Sequence, residues 1–219
     1  MVPAAGAASR FGGGKLFALV DGVPLLDRTL GALLDAGIGR VIVVTPPAAD
    51  WGAAVRGLAD SRVRCVVNPD PSRGMFSSIQ IGVREADSGP IAILPGDMPF
   101  VRADTVKRVL DTAMATGALV SPRFEGHRGH PIVLPLDLRA PVLAAPATAA
   151  LNDVLRPYRD LILNVDVDDR GVLRDVDVVE DLDSASERER ASRASGAGRR
   201  GPRERAREGV RGTKSPGLE

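Results

Sequence analysis

The chain has 219 residues, of which 44% are hydrophobic, enough for one medium-sized domain with a buried core. Only 3% are aromatic, so the core is expected to consist of Val, Leu, Ile and Ala. No run of about 18 apolar residues is present, so we expect no membrane-spanning helix. We also expect no signal peptide and a cytoplasmic location, and the single cysteine, Cys65, excludes an internal disulfide bond.

The net charge of +1 conceals two unlike regions. Residues 184–219 carry ten Arg or Lys and five Glu, whereas the preceding residues have a net charge of −4. The basic segment has almost no large apolar side chains to offset its chain entropy. We therefore predict a folded domain over residues 1–183 and a disordered basic tail over 184–219. A nucleic-acid-binding arm is the alternative, but the tail lacks aromatic residues and Glu dilutes its charge, so no nucleic-acid partner is expected.

The chain begins with small residues followed by a glycine loop between two cations. Residues 4–6 are Ala, Ala and Gly, which let a ligand approach the backbone, and residues 12–14 are glycines. Arg10 and Lys15 flank these glycines. Exposed N–H groups beside Arg and Lys suit a triphosphate. The glycine-rich dinucleotide and Walker motifs are both missing, so a flexible loop without a ligand remains the alternative.

Hydrophobic periodicity and Gly/Pro breaks predict alternating strands and helices along the chain. The predicted strands cover residues 2–4, 40–45, 63–67, 90–94, 118–121, 132–134, 161–165 and 172–178. The predicted helices cover residues 24–36, 48–59, 75–87, 101–116 and 147–156. The connections are too long for hairpins, which favours an α/β fold with a mainly parallel sheet and helices on both faces.

Two of these elements carry specific burial predictions. Cys65 lies among valines in the strand 63–67 and is expected to be a small core residue. The buried stripe of the helix 101–116 is expected to contain Val106, Val109, Leu110 and Met114.

Three loops follow predicted strands and should meet at one edge of the sheet. They are the glycine loop, residues 68–74 and residues 95–99. In a parallel sheet the ligand binds beyond the carboxyl ends of the strands. We therefore expect the binding site where these loops converge.

Asp97 is the strongest candidate for a metal ligand. It follows a buried strand in a Gly-Asp-Met-Pro sequence, and Mg²⁺ commonly bridges one or two carboxylates and substrate phosphates. A turn or helix-capping role is the alternative. Asp175 and Asp177 alternate along the predicted strand 172–178, so they share a face and could supply a second carboxylate. His127 and His130 have no Cys or third His nearby, which argues against zinc.

Several motifs in this order resemble the molybdenum cofactor cytidylyltransferase branch of the nucleotidyltransferases with a Rossmann-like domain. The first is residues 3–15, which resemble the A-A-G-x-x-x-R-x-G-x-x-K signature. The others are residues 68–82, 95–101, 126–131, 171–177 and 180–182. The resemblance spans about residues 1–183 and implies a three-layer α/β/α sandwich like that of the nucleotide-diphospho-sugar transferases.

The resemblance also implies a reaction: transfer of CMP from CTP to a phosphorylated acceptor, with Mg²⁺ and release of pyrophosphate. Related enzymes that use GTP tend to have Ala-Gly-Gly where this chain has Ala4-Ala5-Gly6, which favours CTP. The implied site residues are Ala4, Ala5 and Gly6 against the nucleotide, Arg10 and Lys15 for charge neutralisation, Ser78 near the base, Asp97 and Asp175 as metal ligands, and Asp177 in reserve.

The acceptor implied by the resemblance is molybdopterin, the pterin of the molybdenum cofactor. A family Gly-Asp segment near the acceptor is replaced here by residues 145–148, Ala-Pro-Ala-Thr. One alternative is a nucleotidyltransferase of the same fold acting on a sugar or polyol phosphate. Another is a catalytically silent accessory protein that binds the cofactor and delivers it to a molybdenum hydroxylase partner.

Overall fold

A computed structural model of the protein describes residues 1–6, 14–47 and 51–176. The strands are β1 (Val2–Pro3), β2 (Leu19–Val20), β3 (Val23–Pro24), β4 (Val41–Thr45), β5 (Val63–Val67), β6 (Ile91–Ile93), β7 (Val120–Phe124), β8 (His127–Arg128), β9 (Ile132–Leu134) and β10 (Leu163–Asp166). The helices are α1 (Leu25–Asp35), α2 (Met75–Glu85), α3 (Ala103–Thr116), α4 (Arg139–Ala144) and α5 (Leu151–Leu155).

The sheet is mainly parallel and runs continuously through β1. One part has the order β5-β4-β1, with both strand pairs parallel. The other has the order β6-β9-β7-β10, in which β9 is antiparallel to both neighbours and β10 is parallel to β7. The parts join where Leu94 N donates to Met1 O at 3.1 Å and Gly96 N donates to Pro3 O at 3.3 Å. The predicted α/β fold with a mainly parallel sheet is confirmed.

The central strands and α1 form the core. Apolar residues fill the first four positions of β4 and recur at helical spacing along α1, so both elements have apolar surfaces to bury. All five residues of β4 are buried, as expected for a parallel strand covered on both faces. On α1, Leu26, Leu30 and Leu33 are fully buried and pack against β1 and β4 residues in one cluster. This packing holds the carboxyl end of β1, where the loop of small residues begins.

Three predicted elements differ from the observed ones. Where a helix was predicted over 48–59, residues 51–59 contain a short 3₁₀ turn at Arg56–Ala59, and residues 48–50 lie outside the described part. The predicted helix 147–156 is reduced to α5 and a following 3₁₀ turn at Arg156–Leu161, which carries Pro157. The predicted last strand starts inside a 3₁₀ turn, Arg170–Leu173, and residues 174–176 are not part of a strand. Asp169 begins that turn by accepting a hydrogen bond from Gly171 N.

Both burial predictions need correction. Cys65 is exposed, because β5 is the edge strand and its residues are half-buried or exposed. On α3, Val106 and Val109 are fully buried, but Met114 is 67% exposed. Its neighbour Ala113 is buried against β7 and β9, so Met114 lies on another face of the helix from the buried residues. The apolar character of these side chains is evident from the sequence, but their neighbours in space are not.

The turn at 170–173 and the residues after it dock onto the loop that contains Asp97. Val176 N donates to Asp97 O at 3.0 Å, and the guanidinium of Arg174 lies 4.4 Å from the centre of the Phe100 ring. A Cβ atom at Gly171 would overlap the carbonyl of Phe100, so only glycine allows this close approach. Residues 171–176 therefore hold the loop that follows β6 and contains Asp97.

In the part of the chain that the structure describes, no helix is both long and apolar enough to cross a membrane.

Candidate active site

The candidate site lies at the carboxyl ends of β1 and β6. Ala4 N donates to Val44 O at 2.9 Å, which extends β1 along β4 and leaves Gly6 exposed beyond the sheet. Lys15 opens a 3₁₀ turn, Lys15–Phe17, on the other side of residues 7–13. These seven residues, including Arg10 and two of the three predicted loop glycines, lie outside the described part.

Lys15 and Asp97 form an ion pair across 82 positions of sequence. Lys15 Nζ donates to Asp97 Oδ2 at 2.8 Å, and the two side chains are 12% and 22% exposed. Because both are shielded from most of the solvent, their charges are weakly screened. The structure thus brings a cation of the glycine loop and the predicted metal ligand into direct contact.

A cavity of about 200 Å³ surrounds this pair. It is lined by Pro3, Ala4, Gly6, Lys15, Leu16, Met75 and Asp97. We call it the charged cavity, because Lys15 and Asp97 are the ionised side chains among these residues. The predicted nucleotide-binding residues Ala4, Gly6 and Lys15 therefore line the same cavity as Asp97. Ala5 is buried beside it, 2% exposed.

A second cavity, of about 280 Å³, lies on the other side of Met75. It is lined by Met75, Phe76, Ile79, Ile93, Pro95, His130, Ala149, Ala150, Leu151 and Asn152. We call it the apolar cavity, since His130 and Asn152 are the polar side chains among these residues. Met75 lines both cavities and is 48% exposed.

The start of α2 is fixed by a buried polar network. Gly74 has φ +91°, which allows the sharp turn into the helix. Asn68 Nδ2 donates to Ser77 Oγ at 2.9 Å and to Ser78 Oγ at 3.0 Å. Ser78 is 1% exposed, so the structure places it beneath the helix start rather than among the residues that line the charged cavity. Through this network the loop 68–74 positions Met75 between the two cavities.

His130 lines the apolar cavity, although the sequence alone assigns it no role in the site. From the sequence, His127 and His130 are considered only as zinc ligands. In the structure the two differ in burial, because His127 is exposed and His130 is half-buried in the apolar cavity. Burial lowers the pKa of His130, while the negative charge of Asp97 acts in the opposite direction. The signal that could have revealed it is the Gly-His-Pro sequence that precedes β9, which lies beside β6.

The second predicted carboxylate is only partly described. Asp175 is exposed and directly precedes Val176, whose N–H binds the backbone of Asp97, and Asp177 lies outside the described residues. Asp175 does not lie on a strand, so the predicted alternation with Asp177 does not apply to it. Among residues 1–6, 14–47 and 51–176, no three Asp, Glu, His or Cys side chains cluster as a metal site would.

Known proteins resemble the chain along most of its length. Residues 1–162 match the family model described as the MobA-like NTP transferase domain. The molybdenum cofactor cytidylyltransferase of Escherichia coli K12 is 22% identical over 188 residues, which cover 86% of this chain and 95% of that protein.

Solved structures share the fold. Two structures of one Mycobacterium tuberculosis H37Rv protein, one of them in complex with manganese, are 23% and 22% identical, with TM-scores of 0.66 and 0.62. Each covers 84% of this chain and 95% of the other. The 2-C-methyl-D-erythritol 4-phosphate cytidylyltransferase of Thermus thermophilus is 20% identical, with a TM-score of 0.63, covering 86% of this chain and 96% of its own.

Proposed function

Since the chain belongs to the MobA-like NTP transferase domain family, we propose that it is a cytidylyltransferase that transfers CMP from CTP to a phosphorylated acceptor. The acceptor that we propose is molybdopterin, and the second product is pyrophosphate. The observation that carries the proposal is the ion pair of Lys15 and Asp97 in the charged cavity, beside the exposed backbone of Gly6. A triphosphate needs positive charge and close backbone approach, and this cavity offers Lys15 together with the exposed backbone of Gly6.

The reaction needs positioning and charge stabilisation more than a protein nucleophile. A phosphate oxygen of the acceptor attacks the α-phosphorus of CTP. A new P–O bond forms, the bond from the α-phosphorus to the bridging oxygen breaks, and pyrophosphate leaves with that electron pair. Lys15 stabilises the negative charge that develops on the phosphates, and Arg10 is proposed to do the same. The first N–H groups of α2, which begins at Met75, favour an anion at this point.

The donor set of the charged cavity suits Mg²⁺. Asp97 supplies a hard carboxylate oxygen at the end of β6, and Mg²⁺ is usually held by one or two carboxylates together with substrate phosphates and water. We propose Asp97 and Asp175 as its ligands, with Asp177 in reserve. When bound, the ion would neutralise charge on the α-phosphate. The manganese complex of the M. tuberculosis protein supports a divalent cation at this fold.

Two observations support CTP and a pterin acceptor. Ala4-Ala5-Gly6 differs from the Ala-Gly-Gly of related GTP-using enzymes, and the E. coli relative that aligns over 95% of its length is a molybdenum cofactor cytidylyltransferase. The apolar cavity also suits a ring system better than a hydroxyl-rich chain, because it would leave many sugar hydroxyls unpaired.

The test is pyrophosphate release in the presence of Mg²⁺. Each of the four nucleoside triphosphates is combined in turn with molybdopterin or with 2-C-methyl-D-erythritol 4-phosphate. We expect release with CTP and molybdopterin, and little with GTP. Release with another triphosphate would overturn the base assignment, and release with the erythritol phosphate alone would overturn the acceptor.

The main alternative is a nucleotidyltransferase of the same fold that acts on a sugar or polyol phosphate. It is favoured by the structural similarity to the T. thermophilus enzyme, whose acceptor is a polyol phosphate by its name. A catalytically silent accessory protein for a molybdenum hydroxylase would bind CTP or cofactor without releasing pyrophosphate. The intact pair of Lys15 and Asp97 argues against that alternative.

A further inference from the structure

We propose that His130 contacts the acceptor: its imidazole donates a hydrogen bond to the acceptor in the apolar cavity and orients the attacking phosphate toward the charged cavity. This inference rests on the proposed function, the transfer of CMP to molybdopterin.

The first argument is the composition of the apolar cavity. Of its ten lining residues, His130 is the one with an ionisable side chain, and Asn152 is the other with polar side-chain atoms. The remaining lining is aliphatic or aromatic, or is Met75. In a mostly apolar pocket a few placed polar groups fix the orientation of the ligand. His130 is therefore the side chain best suited to fix how an acceptor lies there.

The second argument is that hydrogen bonds to two other segments fix the backbone at Gly129 and His130. His130 N donates to Val172 O at 2.9 Å, and Gly129 N donates to Pro122 O at 2.9 Å. A Cβ atom at Gly129 would overlap the carbonyl of Val172, so the two segments are in close contact. A side chain on a fixed backbone loses little conformational freedom when it binds a ligand.

The third argument is the position of His130 relative to the reacting groups. Pro95, which shares the apolar cavity with His130, lies two residues before Asp97, and Met75 separates this cavity from the charged one. An acceptor that spans the Met75 boundary would contact His130 in one cavity and place its phosphate beside Lys15 and Asp97 in the other.

The chemistry requires a hydrogen-bond donor here rather than a base. An acceptor phosphate is already ionised at neutral pH, so its oxygen attacks without losing a proton to the protein. Burial lowers the pKa of His130 and favours the neutral imidazole, which keeps one N–H donor. A neutral donor can bind the acceptor without placing another charge in an apolar pocket.

The test compares His130→Phe with His130→Gln, using His127→Phe, at the exposed other histidine in β8, as the matched control. Pyrophosphate release is measured with CTP and molybdopterin, and CTP binding is measured separately at equilibrium. For His130→Phe we expect the KM for molybdopterin to rise about tenfold and kcat to fall, with CTP affinity unchanged. His130→Gln should recover part of this loss, because its amide can donate. An unchanged KM and kcat in folded His130→Phe would overturn the inference.

A second measurement does not require turnover. The chain has two histidines, so their imidazole C–H resonances can be assigned in the full-length protein by using His127→Phe. Molybdopterin, added with CTP and Mg²⁺, should shift the His130 resonance and leave that of His127 in place. Equal or absent shifts under saturating acceptor would overturn the inference. If the wild type releases no pyrophosphate with any triphosphate or acceptor, the proposed function fails instead.

Discussion

The two cavities on either side of Met75 are built from opposite kinds of residue. The charged cavity holds an ion pair, Lys15 with Asp97, beside exposed backbone at Gly6. The apolar cavity is larger, about 280 Å³ against about 200 Å³, and has one ionisable side chain, His130. The ion pair is thus separated from a mostly apolar surface, and the proposed function gives the phosphates to the first cavity and the acceptor ring to the second.

Mutations in the charged cavity and in the apolar cavity should therefore have different effects. A change in the charged cavity should alter turnover, because interactions made mainly in the transition state act on kcat. A change in the apolar cavity should act mainly on the acceptor and leave CTP binding in place. The following predictions test whether the two cavities can be separated in this way, beginning with the largest expected effect.

Asp97→Asn should have the largest effect. The change keeps the shape of the side chain but removes its charge, so we expect kcat to fall by about a thousandfold, equivalent to about 4 kcal/mol of lost stabilisation. Pyrophosphate release at saturating CTP, Mg²⁺ and acceptor measures it. Asp137→Asn, at an exposed aspartate of a 3₁₀ turn, is the control and should retain full activity. A folded Asp97→Asn protein with near wild-type kcat would remove Asp97 from the reaction.

Lys15→Ala should follow, with a loss of about a hundredfold in kcat/KM, because one of the cations near the phosphates is removed. Lys15→Arg should recover only part of that loss, since the planar guanidinium differs in shape from the ammonium. Lys107→Ala is the matched control, because Lys107 is exposed on α3 and pairs with Asp111 on the same helix. Equal activity of Lys15→Ala and Lys107→Ala would show that the charged cavity is not the reaction site.

The charged side was predictable because its signals are local in sequence. Small residues after an apolar stub, a lysine after glycines and an aspartate after a buried strand each indicate the carboxyl end of a parallel strand. The topology of such sheets then brings them to one edge. The glycine loop and the loop 95–99 are therefore predicted to meet, and the structure adds that the side chains of Lys15 and Asp97 are in contact.

The apolar side was not predictable in the same way because it is assembled from distant, short elements. His130 lies just before the antiparallel strand β9, and Leu151 is the first residue of the five-residue helix α5. Residues 126–131, Gly-His-Arg-Gly-His-Pro, have no hydrophobic period that would indicate which side of the fold His130 faces. Likewise, Cys65 was expected to be buried from its valine neighbours, but only the sheet order shows that β5 is the edge strand.

Gly171→Ala should disturb both cavities at once. The added methyl group would overlap the carbonyl of Phe100, so the turn at 170–173 must move away from the loop of Asp97 and from His130. We expect a loss of about 2 kcal/mol in the free energy of unfolding, measured by urea denaturation. Gly39→Ala is the control, since a Cβ there has no neighbour within 4 Å. If the two variants are equally stable, the turn does not support the site.

Leu151→Asn should have the smallest effect and the most selective one. Leu151 is half-buried and lines the apolar cavity, so a polar amide there removes apolar contact with the acceptor without touching the charged cavity. We expect the KM for the acceptor to rise about fivefold, corresponding to about 1 kcal/mol, with CTP affinity unchanged. Leu161→Asn, at a leucine that is 69% exposed, provides the control. A parallel loss of CTP affinity in Leu151→Asn would mean that Met75 does not separate two sites, and that one ligand occupies both cavities.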